Sequence, residues 1–367
     1  MDFFTDICIN NSEKFKNDFQ KIPYISDKAL VIVEPRKHKS LEFVINNFVH
    51  FCPGWSLYIF HSKLNSQFVK DIIKGSKNIH CIELFEDNIN QQIYNDLLLT
   101  KDFWNLIESE KILIFQCDTM IRNFEIDKYL EYDYIGAPWI TQERLEKANM
   151  LIDIRDRYLP DKHHFMNGGL SLRSKSIMLK CLEFLDIDRL RSAIEDLPFD
   201  KKEMARDILW EDVFFLHGCK LLNAKLPNLE VAINFSSEHI MNTNSLGFHK
   251  IWDNNKTHPL KNILEIMSIK SLDIVPKKAN YFIRSKNLDN FNYAKSSIEN
   301  YMKKFNLDLE VYRIDDFEEL VDIYSILHLN RACNTNPEKA IWKLDNLNEI
   351  NYLIDYFCRF YCWNIEL

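Results

Sequence analysis

Glycine is scarce in this chain. Seven glycines stand among 367 residues, about a quarter of the usual ~7% usage, and none follows Gly247. Positions where the backbone takes a positive φ or passes close to a ligand are therefore few, and confined to the earlier part of the chain. Long apolar runs are also missing: no stretch approaches the ~20 residues that cross a bilayer. The first residues carry Asp2, Asp6 and Glu13 without a basic and then an apolar region, so they do not read as a secretory signal. There is no basic surplus, with 46 Lys+Arg against 54 Asp+Glu and a net charge of −8, which argues against a nucleic-acid partner. No CxxC pair occurs among the nine cysteines; they read as buried, reduced thiols of a cytoplasmic protein. The composition also lacks the bias of disordered, collagen-like or coiled-coil chains. What remains is enough apolar residue, 46%, for two or three domains with full cores.

Short apolar runs alternate with helical patterns through the first third of the chain. Ala29–Val33, Leu57–Phe60, Ile79–Leu84 and Lys111–Phe115 read as strands. Between them, Leu41–Phe51, Phe68–Lys74 and Ile93–Glu108 read as helices, Gly75 closing the second. This rhythm predicts βαβ crossovers and a mainly parallel sheet. Residues 141–164 form a charged excursion containing His163 and His164. Beyond Pro259, Tyr281–Ser285 and Leu309–Ile314 read as strands, and Asn290–Phe305, Phe317–Leu329 and Asn346–Trp363 as helices. The expected organisation is a larger domain over 1–258 and a smaller, helix-rich α/β subdomain over 259–367.

In a parallel sheet, ligands sit beyond the carboxyl ends of the strands. Two strands deliver polar groups there: Glu34 and Arg36 after the first, Gln116, Cys117 and Asp118 after the fourth. A carboxylate in that place is either a helix cap or a ligand for a hard cation carrying phosphates. Further on, Gly136-Ala137-Pro138 ends a strand and exposes Trp139, whose ring either stacks on a sugar or joins the core. Asn167-Gly168-Gly169 places two of the seven glycines side by side, either for close approach of a ligand or for a tight turn before Leu170–Leu172.

Asp207–Leu216 reads as a helix that is apolar nearly all round, with Glu211 and Asp212 adjacent inside it. Buried side by side, two carboxylates repel each other and resist ionisation, which pushes at least one pKa towards neutrality and suits a general base. The other reading is a solvated acidic corner. Gly247–Trp252 then brings His249 and Lys250 together, a metal ligand beside a phosphate contact or simply polar surface.

Together these segments resemble a glycosyltransferase-like domain family. The resemblance is carried by ILIFQCD (Ile112–Asp118), EYDYIGAPW (Glu131–Trp139), NGGLSLRS (Asn167–Ser174), EDVF (Glu211–Phe214) and GFHKIW (Gly247–Trp252). It covers about residues 28–253. That family is similar to nucleotide-sugar transferases of the GT-A fold, which implies an α/β, Rossmann-type, mainly parallel mixed sheet flanked by helices. It implies a nucleotide-diphosphate sugar as donor, a glycan or other hydroxyl acceptor, and Mn²⁺ or Mg²⁺, with Mn²⁺ favoured. Such enzymes hold the cation with an Asp-x-Asp motif; here the triplet is Gln116-Cys117-Asp118, which keeps only the second Asp. By resemblance, Asp118 and His249 are the metal ligands. Glu34, Arg36, Gln116, Asp118 and Lys250 form the donor side; Trp139, Asn167, Gly168 and Gly169 the acceptor side. Asp212, with Glu211 beside it, is the base of a single, inverting displacement in glycan synthesis. A retaining transferase and a non-catalytic sugar- or nucleotide-binding module are the alternatives. The last helix, through Tyr352, Leu353, Tyr356, Phe357, Phe360, Tyr361 and Trp363, is expected to pack on the catalytic domain or on a second subunit.

Overall fold

A computed structural model describes residues 3–85, 87–139, 165–196 and 209–251. Toward the C-terminus it describes 279–284, 292, 295–296, 309–314, 342–343 and 362–366. The chain divides into two units, Phe15–Ile251 and a second made of Met1–Lys14 with Trp252–Leu367. The second opens with α1 (Phe3–Asn10).

The larger unit is built on six strands. β1 (Lys28–Val33) leads through α2 (Leu41–Phe51) to β2 (Ser56–His61), with Gly54 at φ +81° in the connecting turn. α3 (Ser66–Ile72) ends in a turn where Lys74 and Gly75 both take positive φ, before β3 (His80–Glu83). The expected helix over Ile93–Glu108 is two helices, α4 (Gln91–Leu98) and α5 (Lys101–Asn105). The break is chemical: Thr100 leaves the helical conformation and its hydroxyl caps the Phe103 N–H. β4 (Lys111–Phe115) follows, then the short β5 (Thr119–Ile121), β6 (Tyr134–Trp139) and β7 (Phe165–Ser174). Two helices come next, α6 (Lys175–Phe184) and α7 (Ile187–Glu195). The site-bearing α8 (Glu211–Leu221) precedes α9 (Leu229–Phe235), β8 (Ser236–Ser237) and β9 (Gly247–His249).

The strand order is β3-β2-β1-β4-β7-β6. The first four are mutually parallel, β7 runs antiparallel to β4, and β6 antiparallel to β7. This is the expected α/β class, a mainly parallel mixed sheet flanked by helices. Its central strands are buried on both faces, with Leu30, Leu57 and Leu113 on one and Val31, Tyr58 and Ile114 on the other, which is why they read as continuous apolar runs rather than alternation.

Two strand expectations shift. Gly136-Ala137-Pro138 does not end β6 but lies within it, with a register shift between Gly136 and Pro138. A Cβ on Gly136 would stand 2.2 Å from the Asn167 backbone oxygen. Gly136→Ala is therefore expected to destabilise the unit by about 2 kcal/mol or more, read as a lower urea midpoint. An unchanged midpoint would show that the two strands separate without cost.

A small second sheet, ordered β5-β9-β8, pairs Thr119 with His249 in antiparallel register. It sits directly after β4 in the chain, so it carries the end of β9 to the carboxyl edge of the main sheet.

The smaller unit holds β10 (Ala279–Arg284), β11 (Leu309–Ile314), β12 (Trp342–Lys343) and β13 (Cys362–Glu366), all parallel, in the order β11-β10-β13-β12. The two expected strands are present. The expected last helix does not reach Trp363: Cys362 and Trp363 belong to β13 and pair with Asn280 and Tyr281. Aromatic residues satisfy a helix stripe and a strand equally well, so periodicity alone does not end that helix. The rest of that helix, the oligomer contact read on it, and the excursion over 141–164 lie outside the described residues. Among the described residues, no helix is long and apolar enough to cross a membrane. Of the six cysteines whose side chains are described, five are buried and Cys81 is exposed.

Candidate functional site

The carboxyl ends of β1 and β4 place their polar residues as the sheet rule requires. Glu34 is buried and takes both the backbone N–H of Arg36 and its guanidinium, at 2.9, 2.8 and 2.7 Å. The cationic fork is thus held at the strand tip with half its surface open, within electrostatic reach of Asp118. Gln116 begins a turn closed by Thr119, whose hydroxyl donates to the Gln116 carbonyl at 2.7 Å. The turn presents Asp118, and the Lys250 N–H returns to the Asp118 carbonyl at 3.1 Å.

Four charged or titratable groups meet there. Lys250 Nζ stands 3.2 Å from Asp118 Oδ2, and His249 Nε2 stands 3.5 Å from Asp118 Oδ1. His249 Nδ1 faces Glu238 Oε1 at 3.4 Å. Burial opposes ionisation of Asp118, but Lys250 and His249 outweigh it and hold the carboxyl well below its usual range. Burial likewise opposes protonation of His249, yet Glu238 and Asp118 raise its pKa to about 9. Lys250 itself sits at φ +44°, a conformation uncommon for a residue with a Cβ, directly after the pairing of β9 with β5 ends at His249.

The glycine pair explains how His249 fits. Gly168 and Gly169 lie inside β7, not in a turn, and neither has positive φ. They are small because side chains fill the space. A Cβ on Gly169 would come within 2.5–2.8 Å of three atoms of the His249 ring, and one on Gly168 within 2.0 Å of Glu211 Oε1. The preceding Asn167 accepts the Gly169 N–H and reaches Glu238 Oε1 at 3.4 Å. Gly169→Ala is accordingly expected to push the imidazole away from Asp118. In an NMR titration the imidazole pKa should fall from about 9 towards the ordinary histidine value, and an unchanged pKa would show that the ring position does not matter.

The acidic pair lies at the start of α8. The helix runs from Glu211, while Asp207 and Ile208 of the expected stretch lie outside the described residues, and Asn95 of α4 accepts the Glu211 N–H at 2.9 Å. Glu211 is buried and forked onto the guanidinium of Arg173, through Nη1 at 2.5 Å and Nη2 at 3.1 Å. Its carboxylate is thereby fully engaged. Asp212 is also buried, and among the described residues only the Val213 N–H hydrogen-bonds to it, at 2.8 Å. Burial first, and then the neighbouring Glu211 charge, push its pKa up to about 7, against the opposing pull of Arg173. A carboxylate that exchanges its proton near neutrality is equipped as a general base. The two halves of the site are linked through Glu238, which lies within electrostatic reach of both His249 and Asp212.

Among the described residues, no cluster of three or more His, Cys, Asp or Glu is arranged to hold a metal ion. Asp118 Oδ1 and both ring nitrogens of His249 are nevertheless buried, and their contacts with each other and with Glu238, at 3.4–3.5 Å, fall short of hydrogen-bond geometry. One carboxylate and one imidazole facing each other fit a divalent cation once the imidazole gives up its proton, the remaining ligands coming from phosphate oxygens and water. The side chain of Trp139 lies outside the described residues. Sequence reasoning missed Glu238 and Arg173. Glu238 carries no signal, being one acid in a polar run. Arg173 does carry one, since it is a cation within the otherwise apolar, alternating Leu170–Leu172 stretch of a core strand.

Residues 79–249 match a protein family described as of unknown function, DUF5672. No curated protein matches the chain. Similar solved structures include a galactosyltransferase, LgtC, in complex with donor and acceptor sugar analogues. It is 12% identical with a TM-score of 0.35, over 49% of this chain and 70% of that one. Another is the glycosyltransferase GlyE of Streptococcus pneumoniae TIGR4, 9% identical with a TM-score of 0.30, over 89% of both chains. Its apo form scores the same, over 89% of this chain and 88% of that one.

Proposed function

We propose that this protein is a glycosyltransferase that moves a sugar from a nucleotide-diphosphate sugar to an acceptor hydroxyl, inverting the anomeric centre in one displacement. The observation that carries this reading is a division of labour at the carboxyl edge of the sheet. Cations Arg36 and Lys250 gather around Asp118 at the strand tips, while Asp212, linked to them through Glu238, holds a proton near neutral pH.

Asp212 takes the proton of the acceptor hydroxyl as that oxygen bonds to the anomeric carbon. The bond from that carbon to the diphosphate oxygen breaks on the opposite face, and its electron pair leaves with the nucleoside diphosphate. Lys250 and Arg36 meet the charge that develops there. A divalent cation, Mn²⁺ or Mg²⁺, held by Asp118 and His249, would add further charge stabilisation to the leaving group. Gln116, at the Asp-x-Asp position, contributes an uncharged side chain, so Asp118 is the carboxylate of that motif. Asn167 and the glycine pair border the acid pair on the side where an acceptor would lie.

The test is thermal denaturation against a panel of nucleotide-diphosphate sugars with and without Mn²⁺. A ligand at 100 times its Kd should add ~2.7 kcal/mol of stability. No stabilisation by any donor, together with no release of nucleoside diphosphate, would overturn the assignment. Stabilisation without turnover on any acceptor would favour a binding module instead.

A further inference from the structure

We propose that Arg173 is a positioning residue for Asp212: from inside the core it clamps Glu211 and the Gly168 carbonyl, and so fixes the backbone that carries the Asp212 carboxylate. The inference rests on the transferase reading above and deepens it.

The Arg173 side chain is fully buried, 0% exposed, on a central strand. Its Nε donates to Ser171 Oγ at 2.9 Å, its Nη2 reaches the Gly168 oxygen at 3.5 Å, and both terminal nitrogens bond the Glu211 carboxylate. The guanidinium also stacks 4.7 Å from the centre of the Tyr134 ring. One side chain thus ties β6, the glycine segment of β7 and the first turn of α8 into a single unit. Burying such a pair adds little to stability, since apolar residues of similar volume commonly do as well or better. Its chemical consequence lies next door. Glu211 is the first residue of α8 and Asp212 the second, so holding one carboxylate rigidly sets the backbone that aims the other.

The charged and titratable groups facing Asp212 are Glu211 on its own helix, Arg173 from β7, Tyr94 from α4, Tyr134 from β6 and Glu238 after β8. Of these, Glu211 raises the Asp212 pKa and Arg173 lowers it. The acid limb of kcat/KM against pH reports the base of the free enzyme. Glu211→Gln removes the raising charge and leaves the lowering one, so that limb should move to lower pH by roughly one unit.

Loss of Arg173 alone strands a buried carboxylate and is expected to destabilise the fold strongly. The second variant is therefore the paired replacement of Arg173→Met with Glu211→Met. It should melt no lower than the wild type, yet lose about 100-fold in kcat with the donor KM changing far less, because the base is no longer held in register. A purely structural pair would move neither quantity. An active wild type whose Glu211→Gln profile stays in place, or whose paired variant keeps full kcat, overturns the inference alone. A folded wild type that transfers no sugar overturns the functional reading and the inference with it.

Discussion

Asp212→Asn is expected to lower kcat by roughly 10²–10⁴-fold while leaving the donor KM nearly unchanged, the size of effect a general base supplies. The amide keeps the shape of the side chain and still accepts the Val213 N–H, so the fold loses nothing. It should in fact gain. In the folded chain the Asp212 pKa is raised from 3.8 to about 7, so the native state holds that proton more tightly than the unfolded state does. Its contribution to stability is complete below the unfolded pKa and is lost as pH rises through the interval up to about 7. Asparagine does not ionise and escapes that loss. At pH 8 the variant should therefore melt above the wild type, whereas at pH 4 the two should nearly coincide. Lower activity joined to higher stability is the signature of a strained functional group. A variant that is both active and unaltered in melting would place Asp212 outside the chemistry.

Asp118→Ala should abolish transfer and weaken Mn²⁺ and donor binding together. Asp118 faces Lys250, His249 and, at longer range, Arg36, so its removal takes the negative centre out of a positive cluster. The cluster then repels a divalent cation without compensation. The backbone turn is held by Thr119 and by the Asp118 carbonyl, neither of which the substitution touches, so the fold survives. The lost ion pairs with Lys250 and His249 should still lower the melting temperature at neutral pH, by less as pH falls and the wild-type carboxylate protonates. Near-normal activity in saturating Mn²⁺ would reduce Asp118 to an ion-pair partner of Lys250.

Much of the sheet was legible in the sequence because a strand buried on both faces is an uninterrupted apolar run. β1, β2 and β4 show this pattern and lie within a residue or so of where the runs place them. Where local hydrogen bonding decides, the reading slips. Thr100 splits one expected helix into two, because its hydroxyl caps the second. The site was legible by position, since Glu34, Arg36, Gln116 and Asp118 follow strands that end at one edge. It was less legible by role. Gly168 and Gly169 look like a ligand-approach segment, but their missing side chains make room for Glu211 and His249, which are 43 and 80 residues away in the chain (211 − 168 and 249 − 169). Glu211 looks equivalent to Asp212 until Arg173, itself 38 residues away, is seen to occupy it. Contacts of that range leave no local pattern.

The most direct measurement follows the anomeric proton signals by ¹H NMR as the wild-type protein is mixed with nucleotide-diphosphate sugars, Mn²⁺ and a set of glycan acceptors. The account predicts loss of one donor's anomeric doublet and growth of a product signal of opposite configuration, absent with Asp212→Asn. A folded wild-type protein that leaves every donor intact would contradict it, and so would a product that keeps the donor's configuration.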